Sequence, residues 1–201
     1  MTNSYSQGLD VWDILSDVTS DVLERTLAAR DLVTGQHARR MQGLVAAFAA
    51  GMGLSENNIY QLRLLARLHD IGKIGIPDSI LCKHGPLTLE ERMIMQRHSE
   101  IGCRLVQGIP GFGRIPDWIL KHHERWDGKG YPLGLSGKDI PFECRVLAIS
   151  DAYEAVTGYR PYRRQLTHGE ATRELDRYAG SQFDPSLVGE FLRLSTATCL
   201  G

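Results

Sequence analysis

Leu68-His69-Asp70-Ile71-Gly72-Lys73 is the stretch on which the reading of this chain turns. Ile59, Leu62, Leu65, Ala66 and Leu68 lead into it at helical spacing, which places His69 on or beside a buried helix face. An imidazole, a carboxylate and an ammonium converging at the buried end of a helix need a compensating partner. A metal ion is the most economical one, because it holds neutral imidazole and carboxylate together. The pair alone does not decide this, since a satisfied core histidine beside a helix-end aspartate reads the same way. The other histidines do.

With 201 residues the chain is long enough for one domain with a sizeable core and too short for two comfortable ones. A net charge of -1 argues against a nucleic-acid polymer as partner. No apolar run is long enough to span a membrane, and the opening MTNSYSQGLD carries no signal-peptide pattern. Cys82, Cys103, Cys144 and Cys199 stand singly, which suits reduced thiols. These features lead us to expect a cytoplasmic protein without a membrane partner.

Residues 1–9 read as a flexible segment and 10–33 as an N-terminal helix, with Val11, Leu15, Val18, Val22 and either Thr26 or Ala29 on one face. That stripe packs on its own domain, the commoner use, or pairs with a second copy in a homodimer. The remaining domain covers 34–196. A helix from Thr34 to Gly51 carries His37 at its start, and Ser55 opens the helix that ends in the His-Asp pair. Thr88 and Glu91 form a capping box that starts a helix to Val106, on which His98 shares an apolar face with Ile94, Ile101 and Leu105. A helix from Pro116 carries Ile119, His122 and His123. Residues 124–141 are rich in Gly and Pro, a loop long enough to be functional. Helix 142–157 brings Val146, Leu147, Ile149 and Asp151, and Thr167 with Glu170 caps a helix that Gly180 closes. Asp184-Pro185 starts a last short helix. No run has the period of a strand, so the fold class is all-α, a single helical bundle.

His37, His69-Asp70, His98, His122-His123 and Asp151 recur at intervals of one helix plus one connection. Each helix of a bundle can thus deliver a ligand to one point. Five imidazoles and two carboxylates exceed one tetrahedral zinc with an open position, and suit two divalent metal ions bridged by a carboxylate such as Asp70. Nitrogen and oxygen donors point to iron or manganese, and nickel or zinc fits the ligand types too. His84 and His168 read as solvated side chains.

His69-Asp70-Ile71-Gly72-Lys73, followed by His122-His123-Glu124 and Asp127-Gly128-Lys129-Gly130-Tyr131-Pro132, resembles the HD-GYP family of cyclic dinucleotide phosphodiesterases. Thr34, His37, Ile76-Pro77-Asp78, His98, Asp151 and Arg160-Pro161-Tyr162-Arg163 match its pattern in order, over residues 25–195. The resemblance implies His69, Asp70, His98, His122, His123 and Asp151 as core metal ligands, with His37 an additional one. It implies that Lys73 reaches the scissile phosphate, that Arg160 and Arg163 hold substrate phosphates, and that Tyr131 lies beside the metal centre. Gly128 and Gly130 let the loop backbone approach the ligand. The implied reaction is hydrolysis of a cyclic dinucleotide, cyclic di-GMP before others, to linear pGpG, GMP or both, by a hydroxide bridging the two ions. Asp70 and Lys73 are the catalytic candidates, and a metal-bound water and Lys73 are both candidates for the acid.

The chain departs from the family twice. Members with three ions carry a carboxylate one turn before the first histidine; here that residue is Val33, so two ions are expected, with His37 a peripheral ligand or a substrate contact. The family's aspartate three residues after the last ligand is Glu154, a longer acid able to hydrogen-bond a ligand or the substrate. Two rival readings remain: a hydrolase of another nucleotide within the wider HD superfamily, and a non-enzymatic module binding a cyclic dinucleotide or a protein partner through the 127–132 loop.

Overall fold

A computed structural model describes residues 11–30, 32–158 and 164–197. The described residues are helical, joined by loops, with two isolated β-bridges and no strand. Helices α1 (Val11–Arg30), α2 (Leu32–Gly51) and α3 (Glu56–Leu68) lead into a 3-10 turn, Ile71–Gly75. After it come α4 (Asp78–Leu81), α5 (Leu89–Gln96), α6 (His98–Val106) and α7 (Ile115–Lys121). A long loop then precedes α8 (Phe142–Thr157), α9 (His168–Arg177) and α10 (Pro185–Ala197).

The starts of three helices follow from local chemistry. Ser55 caps α3 by accepting from the Asn58 N–H, and Thr88–Glu91 and Thr167–Glu170 are reciprocal capping boxes at α5 and α9. The core is made by Met41, Val45 and Phe48 of α2, Leu62 and Leu65 of α3, Ile115 and Ile119 of α7, Val146, Leu147 and Ile149 of α8, and Phe191 of α10.

Two expectations are corrected. The apolar stripe of α1 does not pack on its own domain: Leu15, Val18 and Val22 are 45, 58 and 57% exposed. The face turned inward is Ser16, Ser20, Glu24 and Leu27. Ser16 Oγ lies 2.6 Å from Tyr60 Oη, and Arg67 of α3 donates to Ser20 Oγ at 2.9 Å, to Asp21 at 2.9 Å and to Glu24. A half-buried guanidinium that needs these acceptors, together with Leu27, sets the rotation of α1. The expected single helix from Thr88 to Val106 is two. At Arg97 the backbone N–H bonds to Ile94 O, three residues back, and the His98 ring takes Met95 O. This kink leaves Ile94 and Leu105 exposed and Ile101 half-buried, and the face His98 shares is Ser99, Gly102 and Val106.

Candidate metal centre

Three histidines enter the core by one device. A helix ends with carbonyls that lack intrahelical donors. His69 and His122 are the C-caps of α3 and α7, and His98 follows the C-cap of α5. Each ring turns Nδ1 onto the carbonyl three residues back: Ala66 at 2.9 Å, Met95 at 2.8 Å and Ile119 at 2.6 Å. A carbonyl only accepts, so Nδ1 carries the proton and Nε2 presents a lone pair.

Those lone pairs converge. His98 Nε2 lies 3.3 Å from His122 Nε2 and 3.2 Å from His123 Nε2. Burial, and then the mutual repulsion of His122, His69 and His98, brings His122 down from 6.5 to about 3. Burial, and then His122, His98 and His69, hold His123 well below 6.5; burial, and then Lys73 and His69, lower His98. His98 and His122, both protonated at Nδ1, face each other with lone pairs and have no hydrogen bond to offer one another; a cation is the partner that satisfies both, with His123 beside them.

Asp70 stands between two sets of donors. Its Oδ1 is 3.5 Å from His98 Nε2 and its Oδ2 is 3.4 Å from His69 Nε2. Burial opposes its charge, but Lys73, with Nζ 2.8 Å from Oδ2, and His69 hold the carboxyl well below the usual range. Asp70, His98, His122 and His123 offer ligand atoms within 4.8 Å of one another, and so do His37, His69 and Asp70. Two ion sites sharing Asp70 fit this donor set.

Gly72 allows this approach. A Cβ there would stand 1.8 Å from His98 O and 2.4 Å from Gly102 N, so only a glycine lets the turn after Asp70 cross α6. Asp151, from α8, joins through His37, its Oδ1 3.1 Å from His37 Nε2. His37 Nδ1 is bonded to Glu154, and the other Glu154 oxygen accepts from Arg40. Burial lowers His37, but Asp151 and Glu154 outweigh it and raise the ring from 6.5 to about 9.

The loop after α7 roofs the centre. Buried Glu124 accepts from Leu133 N–H at 2.7 Å and Leu135 N–H at 2.9 Å. Gly130 lies so close to the chain it folds back on that a Cβ would be 2.4 Å from Arg125 N. Gly128 has φ +75°. These hold Tyr131 against His123, ring centroids 4.7 Å apart. Burial, and then the Asp70 and Asp151 charges, push its phenol up, so it stays a donor.

The described residues thus bring together His37, His69, Asp70, Lys73, His98, His122, His123, Tyr131 and Asp151. Arg160 and Arg163 lie outside the described residues, as does the Val33 side chain. Sequence reasoning gave no role to Arg40, Gly72 or Glu124; Glu124 carries a local signal, its place directly after the histidine pair. His168, expected to be solvated, is exposed but holds Tyr153 Oη at 2.9 Å.

A family model described as "HD domain" matches residues 21–187. A cyclic di-GMP phosphodiesterase of Thermotoga maritima is 40% identical over 184 residues, 90% of this chain and 50% of that protein. The 3′3′-cGAMP-specific phosphodiesterase 2 of Vibrio cholerae is 36% identical over 168 residues, 83% of this chain and 32% of that one. The chain therefore spans half or less of these relatives. Among solved structures, Bd1817, an HDG"Y"P protein from Bdellovibrio bacteriovorus, shares the fold with a TM-score of 0.66 at 17% identity, covering 92% of this chain and 63% of that one. With its paired histidines and shared aspartate on the helices that the model spans, the chain belongs to the HD domain family and carries the HD-GYP signature at His69–Lys73 and His122–Pro132.

Proposed function

We propose that this chain is a metal-dependent phosphodiesterase acting on a cyclic dinucleotide, with cyclic di-GMP the first candidate. The observation that carries the reading is the convergence of the His98, His122 and His123 Nε2 atoms beside a carboxylate shared with His69 and His37. Two ions held there, iron or manganese by donor type, would supply Lewis acidity at a phosphoryl oxygen and a water of lowered pKa.

The residues do the rest. Asp70 stays ionised and holds the Lys73 ammonium, partly exposed, at the rim, where it neutralises charge on the phosphoryl oxygens. Tyr131 offers a neutral phenol donor to the same space. Arg160 and Arg163, from the chain after α8, take the second phosphate, which a planar guanidinium fits bidentately. The product is pGpG, GMP or both. We place the reaction in the cytoplasm; no helix of the described residues is long and apolar enough to cross a membrane. The same loop, 127–132, offers a surface to a protein partner.

A homodimer through α1 belongs to this reading. Leu15, Val18, Val22, Arg25 and Ala29 recur at the 3.5-residue spacing of a two-helix seam, and the seam faces away from the domain. A second substrate, 3′3′-cGAMP, is kept because the Vibrio relative named for it is nearly as similar as the cyclic di-GMP enzyme.

Elemental analysis of anaerobically purified protein, with turnover of both cyclic dinucleotides on the same sample, tests the proposal. About two ions per chain with hydrolysis supports it. Two ions without turnover of either compound leave a hydrolase of another nucleotide or a receptor, and no ion after reconstitution ends the metal reading.

A further inference from the structure

His37 is held differently from the other histidines. No helix-end carbonyl fixes its ring; its Nδ1 meets the carboxylate of Glu154, which reaches across from α8 to α2. The second oxygen of that carboxylate accepts from Arg40 Nε, one turn along α2 from His37. Glu154 is 5% exposed and Arg40 39%, so the carboxylate is buried between a ring of the metal centre and a guanidinium at the surface. Space for this carboxylate is reserved. A Cβ at Gly158, the residue ending α8, would lie 2.4 Å from Glu154 Oε1.

We propose that Glu154, braced by Arg40, is a positioning residue that makes His37 a ligand of the ion held with His69 and Asp70, not a peripheral group. The inference rests on the metal reading above and deepens it. A carboxylate only accepts, so a ring bonded to it through Nδ1 carries its proton there and keeps Nε2 for the ion. Nε2 points into the shared site, where a bound ion would displace the proton it gives to Asp151 Oδ1 at 3.1 Å, and His37 groups with His69 and Asp70 within 4.8 Å. An aspartate is one methylene shorter. The glutamate spans from Arg40 to His37, so each of its oxygens is used.

The test is metal binding by the whole chain, read by manganese titration followed by elemental analysis after dialysis. Glu154→Ala is expected to keep the ion held by Asp70, His98, His122 and His123 and to lose the other, falling from about two ions to about one. Glu154→Gln still presents an acceptor oxygen to Nδ1, so it should weaken the affected site by about 10–100-fold without emptying it. Arg40→Met, at a half-exposed position, loosens the same site by less and guards against a Glu154 variant that fails to fold. The discriminating measurement is a double-mutant cycle. In a His37→Gln background, Glu154→Gln should cost no further manganese affinity, whereas a merely structural glutamate would cost the same in both backgrounds. Two ions bound by Glu154→Ala at wild-type affinity, or additive losses in the cycle, would overturn the clamp while leaving the metal centre intact. A wild-type chain that binds no ion removes both.

Discussion

One side of the metal centre is held by backbone and the other by side chains. His69, His98 and His122 each give Nδ1–H to a carbonyl three residues back, so their orientation follows from the helix ends that carry them. His37 depends on Glu154, 117 positions away, and on Arg40 behind it. A ligand held by backbone tolerates change in its neighbours, because the carbonyl is there whatever the side chain. A ligand held by a carboxylate is adjustable and can be lost by one substitution. The centre therefore has a fixed half and a tunable half, joined at Asp70.

The strongest test of that division removes the joint. Asp70→Ala takes a donor from both halves and leaves the Lys73 ammonium without the carboxylate at 2.8 Å. We expect both ions to be lost, and hydrolysis of cyclic di-GMP to fall by about 10³-fold or more, the scale of losing metal-derived electrostatic stabilisation. Elemental analysis and single-turnover assays on the same preparation check it. Two ions retained with undiminished turnover would separate the two halves entirely and break the comparison.

Metal-free protein separates the halves by the sign of their pH dependence. His98, His122 and His123 are lowered by burial first, His122 to about 3, from 6.5. Below about pH 6.5 the unfolded chain then binds more protons than the folded one. Stability is complete above that pH and falls as the pH drops toward the folded values, by about 1.4 kcal/mol per pH unit for each histidine that titrates. His37 runs the other way. Despite burial, Asp151 and Glu154 raise it from 6.5 to about 9, so its contribution is complete below 6.5 and is lost as the pH rises through 9. Urea midpoints of chelator-treated protein from pH 5 to 9.5 should fall at both ends. His37→Gln should remove the alkaline fall and keep the acid one; a profile unchanged by it would mean the two sides are not distinct.

The sequence made the fixed half legible, for a physical reason. Helix ends, capping residues and histidines at those ends are local features, so Ser55, Thr88 with Glu91, and the His69 and His122 positions could be read in order along the chain. What was missed depends on contacts between distant segments. Glu154 could be noted as a longer acid, but not assigned to His37. The apolar stripe of α1 was visible, but periodicity does not say which face meets the domain; Arg67 of α3, by drawing Ser20 and Glu24 inward, does. The break at Arg97 was hidden because the apolar spacing of Ile94, Ile101 and Leu105 fits one straight helix. The ring of His98, bonding to Met95 O, ends that regularity.

A glycine tests the backbone half with less force. Gly72→Ala puts a Cβ 1.8 Å from His98 O, and backbone cannot move aside as a flexible side chain can. Overpacking of this kind costs about 1–3 kcal/mol. It should lower Tm and weaken the ion bound by His98, His122 and His123 more than the one bound by His37. Gly43→Ala in α2 is the control, since its Cβ would meet nothing within 4 Å and alanine favours a helix interior by about 0.5–1 kcal/mol. Equal losses from both would show that the crossing at Gly72 is not the constraint described.

The smallest effect on stability is expected on the outward face of α1, a helix whose two faces repeat the division between groups the fold holds and groups it leaves free. Leu27, on the inward face, is 3% exposed, and Leu27→Ala should cost about 2–4 kcal/mol, as buried leucines do. Val18→Ser with Val22→Ser changes residues 58 and 57% exposed, so the monomer should lose no more than about 0.5 kcal/mol and keep its metal content. The association state should change nonetheless. Val18 and Val22 line a groove of about 670 Å³ with Tyr60, Arg63 and Leu64, room for part of a second α1 beside the first. If the seam joins two copies, sedimentation of the wild-type chain approaches twice its 22.4 kDa with rising concentration, and the double variant stays at the monomer mass. A wild-type chain that remains monomeric at every concentration would leave the seam without a second copy as its occupant, while the His/Asp clusters, which draw no donor from α1, would be untouched.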